Sequence, residues 1–109
     1  MNAVQFQDQL KKVVQAIVNN YQPEKIILFG SAVAGRMHED SDADIAVIKK
    51  TNKNFYDRIG EVSGVVPHGI PLDILVYTPE EFQQMKNDKY GYFVRDEIIG
   101  KGKVLYESS

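Results

Sequence analysis

Cysteine is absent from the 109-residue sequence, which excludes disulfides, zinc–thiolate sites and cysteine nucleophiles together. No apolar run approaches the ~20 residues that a membrane span requires. The opening Met1-Asn2-Ala3-Val4-Gln5 has neither the basic start nor the apolar stretch of a signal peptide. These absences predict a cytoplasmic protein without a membrane partner. Positive charge is not in excess either: the net charge is −2, and the lysines are scattered. The densest basic run, Lys49-Lys50-Thr51-Asn52-Lys53, is short and reads as a loop. Affinity for a nucleic-acid backbone comes from neutralising phosphates, so the lack of a basic stripe argues against nucleic acid as a direct substrate.

What remains is ordinary for a soluble globular protein: 43% apolar and 26% charged residues. The length suits one domain over 1–109, with a real core but no second substrate-holding domain. Phe6, Leu10, Val13, Val14, Ile17, Val18 and Tyr21 recur at helical spacing. Asn2 can cap that helix, with Gln5 three positions on, and Pro23 marks its end. Ile26-Ile27-Leu28-Phe29 is short enough for a strand and stops at Gly30-Ser31. Asp42–Ile48 and Ile70–Tyr77 are further strand-like runs, each apolar apart from its acids. Between them Phe55, Ile59 and Val62 share one helical face, closed by Gly64 and Pro67. Thr78-Pro79-Glu80-Glu81 combines an N-cap, a first-turn proline and a capping-box glutamate. The helical pattern continues in pieces to Ile99, Gly100 and Gly102 supply stops, and Lys103–Tyr106 reads as an edge strand. The expected fold is one α/β (α+β) domain, a mixed β-sheet flanked by helices.

The acids inside the strands carry the chemistry. A charged carboxylate in an apolar strand is costly without compensation. Asp42 and Asp44 are two apart, so on a strand both point to one face, roughly 6–7 Å apart at their Cα atoms. If the strand holding Asp73 is a neighbour, about 5 Å away, all three carboxylates converge. Their mutual repulsion makes sense around a divalent cation, and magnesium takes such hard oxygen ligands together with substrate phosphates. Gly30-Ser31 supplies a second element: glycine permits close backbone approach to a phosphate, free N–H groups at a helical turn favour an anion, and the serine hydroxyl adds a donor. Taken singly, a Gly-Ser after a strand is usually a turn, an Asp-x-Asp pair is commonly a solvated strand end, and Asp73 could be a strand-edge acid. Gly30-Ser31, ten intervening residues, Asp42-Ala43-Asp44 and a later Asp73 together describe one metal–triphosphate site.

These residues resemble the nucleotidyltransferases related to DNA polymerase beta, whose signature is an apolar residue, Gly-Ser, a spacer, Asp-x-Asp and a third acid on a later strand. The nearest resemblance is to the minimal nucleotidyltransferases of bacteria and archaea. It is specific over roughly residues 25–77 and looser elsewhere, including the ending at Gly102–Glu107. The resemblance implies triphosphate contacts for Gly30 and Ser31, two magnesium ions on Asp42 and Asp44, and a part for Asp73 in activating a hydroxyl. It also implies ATP as substrate and transfer of AMP. Many relatives place arginines just after the Gly-Ser, often immediately before the glycine matched by Gly35. Here Ala32 and Ala34 stand there, and the nearest arginine is Arg36, which reads equally as a nucleotide-binding residue or a solvated loop residue.

His38 and His68 read as surface residues in loops, and Tyr90, Tyr92 and Phe93 as helix packing more than as a stacking platform for bases. Members of the resembled group often act beside a HEPN-type ribonuclease toxin as its antitoxin, by attaching AMP to a toxin tyrosine. The resemblance therefore implies a partner-protein hydroxyl as acceptor and a hetero-oligomer with that partner. The alternative is a non-catalytic antitoxin, or a nucleotide-binding module, that neutralises its partner by contact. The intact acids favour the enzyme; the missing arginines favour the binder.

Overall fold

The structure, a computed structural model, describes residues 2–33 and 42–108. Helix α1 (Ala3–Tyr21) opens on a complete capping box: the Gln5 N–H donates to the Asn2 side chain, and the Asn2 N–H to the Gln5 side chain, each at 2.9 Å. Phe6, Leu10, Val13, Ile17 and Tyr21 form its buried stripe. The helix ends where Gln22 turns left-handed (φ 55°), just before Pro23.

Strand β1 (Lys25–Phe29) leads into a 3₁₀ turn, Gly30–Ala32. β2 (Ala43–Ile48) follows, then α2 (Phe55–Ser63), β3 (Leu72–Tyr77), α3 (Pro79–Asn87), a π-helical segment (Phe93–Gly100) and β4 (Lys103–Glu107). The sheet runs β3-β2-β1-β4. β1 pairs antiparallel with both β2 and β4, whereas β2 and β3 are parallel, joined by the α2 crossover. It is the mixed sheet that the sequence predicts, with β4 on an edge.

Helices cover both faces. On one, the α1 stripe packs with Val62 against Ile26, Leu28, Ile45, Val47 and Val76. On the other, Val94 and Ile98 pack against Ile27, Phe29, Ala46, Ile48 and Tyr77, with Phe82 and Met85 of α3 alongside. Burial on both faces explains why β1 and β2 read as near-continuous apolar runs.

The segment after α3 departs from a continued helix. Asp88 is extended (φ −70°, ψ 147°), and its side chain accepts from the Tyr90 N–H at 2.8 Å. Gly91 then passes so close to the Met85 carbonyl that a Cβ would collide with it. Arg95 Nη1 donates to the carbonyls of Lys86 and Asp88, at 2.9 and 2.6 Å, tying the connection together.

Candidate active site

Strand parity determines where the acids point. Asp44 lies two residues before Ala46, a side chain of the second core, so it projects from the sheet face covered by α3 and the π-helical segment. Asp73 stands in the same relation to Leu75 and Tyr77, and the parallel register sets it directly opposite Asp44. The two carboxyl groups are close enough for Asp73 to act on Asp44. Burial first, then the charge of Asp73, its hydrogen bond and the charge of Asp42, push the Asp44 pKa above its ordinary value. Asp42 has the parity of Asp44 but precedes the first residue of β2, and it is exposed.

The β1 end closes the site from the other side. Phe29 is the register partner of Asp44, so the next residue, Gly30, turns across the Asp44 carboxylate. Gly30 has φ +79°, and a Cβ there would strike Asp44 Oδ2. Any other residue would strain the left-handed backbone there and displace the Asp44 carboxylate. Ser31 follows in the 3₁₀ turn and is exposed. The structure thus brings Gly30, Ser31, Asp44 and Asp73 to one sheet end, with Asp42 near enough to act on Asp44 through its charge. Arg36, Gly35 and His38 lie outside the described residues. His68 is exposed, as expected.

Among the described residues, no three acids or histidines stand ready-made around one metal position. The donor set still suits magnesium. Asp44 and Asp73 offer hard oxygens side by side, no salt bridge among the described residues offsets their repulsion, and magnesium needs only one or two carboxylates when phosphates complete its shell. A cation there would offset the mutual repulsion that raises the Asp44 pKa.

Two features of the structure escape the sequence reading. Arg58 is buried, 7% exposed, and donates to both Glu81 carboxylate oxygens at 2.7 and 3.2 Å. It also donates to the carbonyls of Lys53 at 2.7 Å and Val76 at 3.3 Å. Its signal in the sequence is a cation lying on the helical face of Phe55, Ile59 and Val62. The other is the aromatic run after α3. Tyr90 and Tyr92, expected in helix packing, are 75% and 66% exposed, and Phe93 is 40% exposed.

Known proteins resemble this chain in sequence and in fold. The profile of the family described as "Polymerase beta, Nucleotidyltransferase" matches residues 11–109. A Methanocaldococcus jannaschii protein, whose name proposes protein adenylyltransferase activity, is 28% identical over 101 residues, covering 89% of this chain and 94% of that protein. Two crystal structures share the fold, each with a TM-score of 0.61. One is of a proposed nucleotidyltransferase from Sulfolobus solfataricus, at 18% identity over 98% of this chain and 90% of that one. The other is of a toxin–antitoxin with AMP-PNP, at 20% identity over 91% of this chain and 73% of that one.

Proposed function

Because the chain belongs to the polymerase beta nucleotidyltransferase family, we propose that it transfers AMP from ATP to a hydroxyl on a partner protein. The observation that carries this reading is the Asp44–Asp73 pair on parallel strands, pressed against the Gly30 turn. In this reading Gly30 and Ser31 hold the triphosphate through backbone N–H groups and the serine hydroxyl. Asp42 and Asp44 anchor the phosphate end of the nucleotide, and Asp73 accepts the acceptor's proton. The acceptor oxygen forms a bond to the α-phosphorus as the bond to the departing pyrophosphate breaks. Two magnesium ions bound among these carboxylates and the phosphates would supply charge neutralisation and a more acidic hydroxyl.

The wider comparison supports a protein as acceptor. The M. jannaschii relative's name points to protein modification, and one fold neighbour is a toxin–antitoxin solved with an ATP analogue. A HEPN-type ribonuclease toxin, the partner that the sequence resemblance implies, is the proposed partner and AMP attachment the means of neutralising it, with residues 1–109 working as one domain whose open cleft the acceptor completes. The second reading, neutralisation by contact alone, is favoured by Ala32 and Ala34 standing where many relatives have arginines. Incubation with ATP, magnesium and the partner toxin separates the two. Mass spectrometry should show one or more AMP units on a partner tyrosine, serine or threonine, absent with Asp42→Asn. An Asp42→Asn chain that silences the toxin as well as the unaltered chain, with no AMP on the partner, would establish the contact mechanism instead.

A further inference from the structure

Gly30, Ser31 and the acids address phosphate and metal, leaving the base of the nucleotide without a holder. The same sheet face offers one. Phe29, opposite Asp44 in register and immediately before Gly30, is buried. Phe93, the first residue of the π-helical segment, meets Phe29 edge to face, with ring centroids 5.8 Å apart and planes at 90°. In either edge-to-face arrangement, at least one face of the Phe93 ring is not used by Phe29. Phe93 is 40% exposed, and its neighbour Tyr92 is 66% exposed. An aromatic ring is thus held by a buried partner, one aromatic layer from the phosphate turn, and left open to solvent.

We propose that Phe93 is the stacking surface for the base of the nucleotide whose triphosphate lies on Gly30-Ser31. The proposal rests on the nucleotidyltransferase reading and adds the base-binding side of the same site. The charged ends of the ligand are already assigned to the carboxylate side, and a flat, weakly polar ring system is the part that an open phenyl face complements. Stacking on a phenyl ring discriminates by ring area rather than by hydrogen-bond pattern. The site should therefore favour purine over pyrimidine nucleotides and separate adenine from guanine poorly.

Isothermal titration of the full chain in magnesium, with ATP, GTP, UTP and inorganic tripolyphosphate, tests this. ATP and GTP should bind with similar affinity, and UTP more weakly. Phe93→Leu, which keeps an apolar cover over Phe29, should weaken ATP and GTP by about 5- to 100-fold while leaving tripolyphosphate unchanged; Phe93→Ala should do the same. Unchanged ATP affinity in both variants would overturn the proposal. So would equal losses for ATP and tripolyphosphate in Phe93→Leu, because the residue would then support the phosphate turn. Normal ATP binding with lost AMP transfer would make Phe93 an acceptor contact and overturn it too. Failure of the unaltered chain to bind either ATP or tripolyphosphate would instead remove the nucleotide reading itself, and the base site with it.

Discussion

Asp44 sits half-buried against Asp73, and its pKa is raised by burial and by the neighbouring acids. A carboxyl whose folded pKa lies above its unfolded value binds its proton more tightly in the native state. Its stabilising contribution is complete below the unfolded pKa, about 3.9 for aspartate, and is lost as pH rises through the folded value. At neutral pH, without metal, Asp44 therefore works against folding. Asp44→Asn should raise the metal-free melting temperature at pH 7.5, with the gain vanishing towards pH 4; a lowered melting temperature at pH 7.5 would contradict this assignment. In magnesium and ATP the ranking should tighten or reverse, because the ligand favours the native state only of the chain that binds it. Asp73→Asn acts on a different quantity. With Asp73 as proton acceptor, AMP transfer should fall by ~10²–10⁴-fold, while ATP affinity measured by titration falls much less, since Asp42 and Asp44 remain. Equal losses of binding and turnover would make Asp73 a nucleotide-side ligand instead.

Among the elements, α2, β3 and α3 are tied by Arg58. Glu81 does double duty: its carboxylate accepts from the Thr78 N–H at 3.0 Å to complete the α3 capping box and also from the Arg58 guanidinium. The Arg58 hydrogen bonds hold the Glu81 pKa below its ordinary value. The resulting stability is present above the unfolded glutamate pKa, about 4.3, and is lost as pH falls through the folded value. Glu81→Gln should cost about 2 kcal/mol in urea unfolding at pH 7. That is less than the ~3–5 kcal/mol for breaking a fully buried pair, because the Glu81 side chain is 42% exposed. The difference from the unaltered chain should close in acid.

The fold was legible in the sequence wherever local signals agreed. α1 carries both an amphipathic stripe and a capping box, and α3 carries cap, proline and capping glutamate, so neither needed tertiary information. The acids of the site were legible because an aspartate inside an apolar strand demands an explanation. Their meeting was only conditional, since the Asp44–Asp73 register arises from strand pairing across the α2 crossover. The stretch from Asp88 to Gly100 was not legible as built. Its path depends on the close approach of Gly91 to the Met85 carbonyl and on Arg95 reaching back to Lys86 and Asp88, contacts that leave no periodic trace. The helical pattern therefore predicts packing for Tyr92 and Phe93, although solvent reaches both.

At the scale of the molecule, Asp44, Asp73, Phe29 and Phe93 share the sheet face covered by α3 and the π-helical segment, whereas the opposite face carries the α1 stripe. Val13→Ala, a truncation of a side chain 1% exposed in that stripe, should therefore cost about 2 kcal/mol of stability and leave the ATP dissociation constant within twofold at a temperature where the variant is folded. A large change in affinity would show that the faces are coupled through the sheet. If they are separable, sequence drift can rework the α1 side under the sole demand that the chain stay folded. Changes on the other side are filtered by the reaction. Two halves of one small sheet would then keep different evolutionary clocks, and laboratory stabilisation should begin on the α1 side.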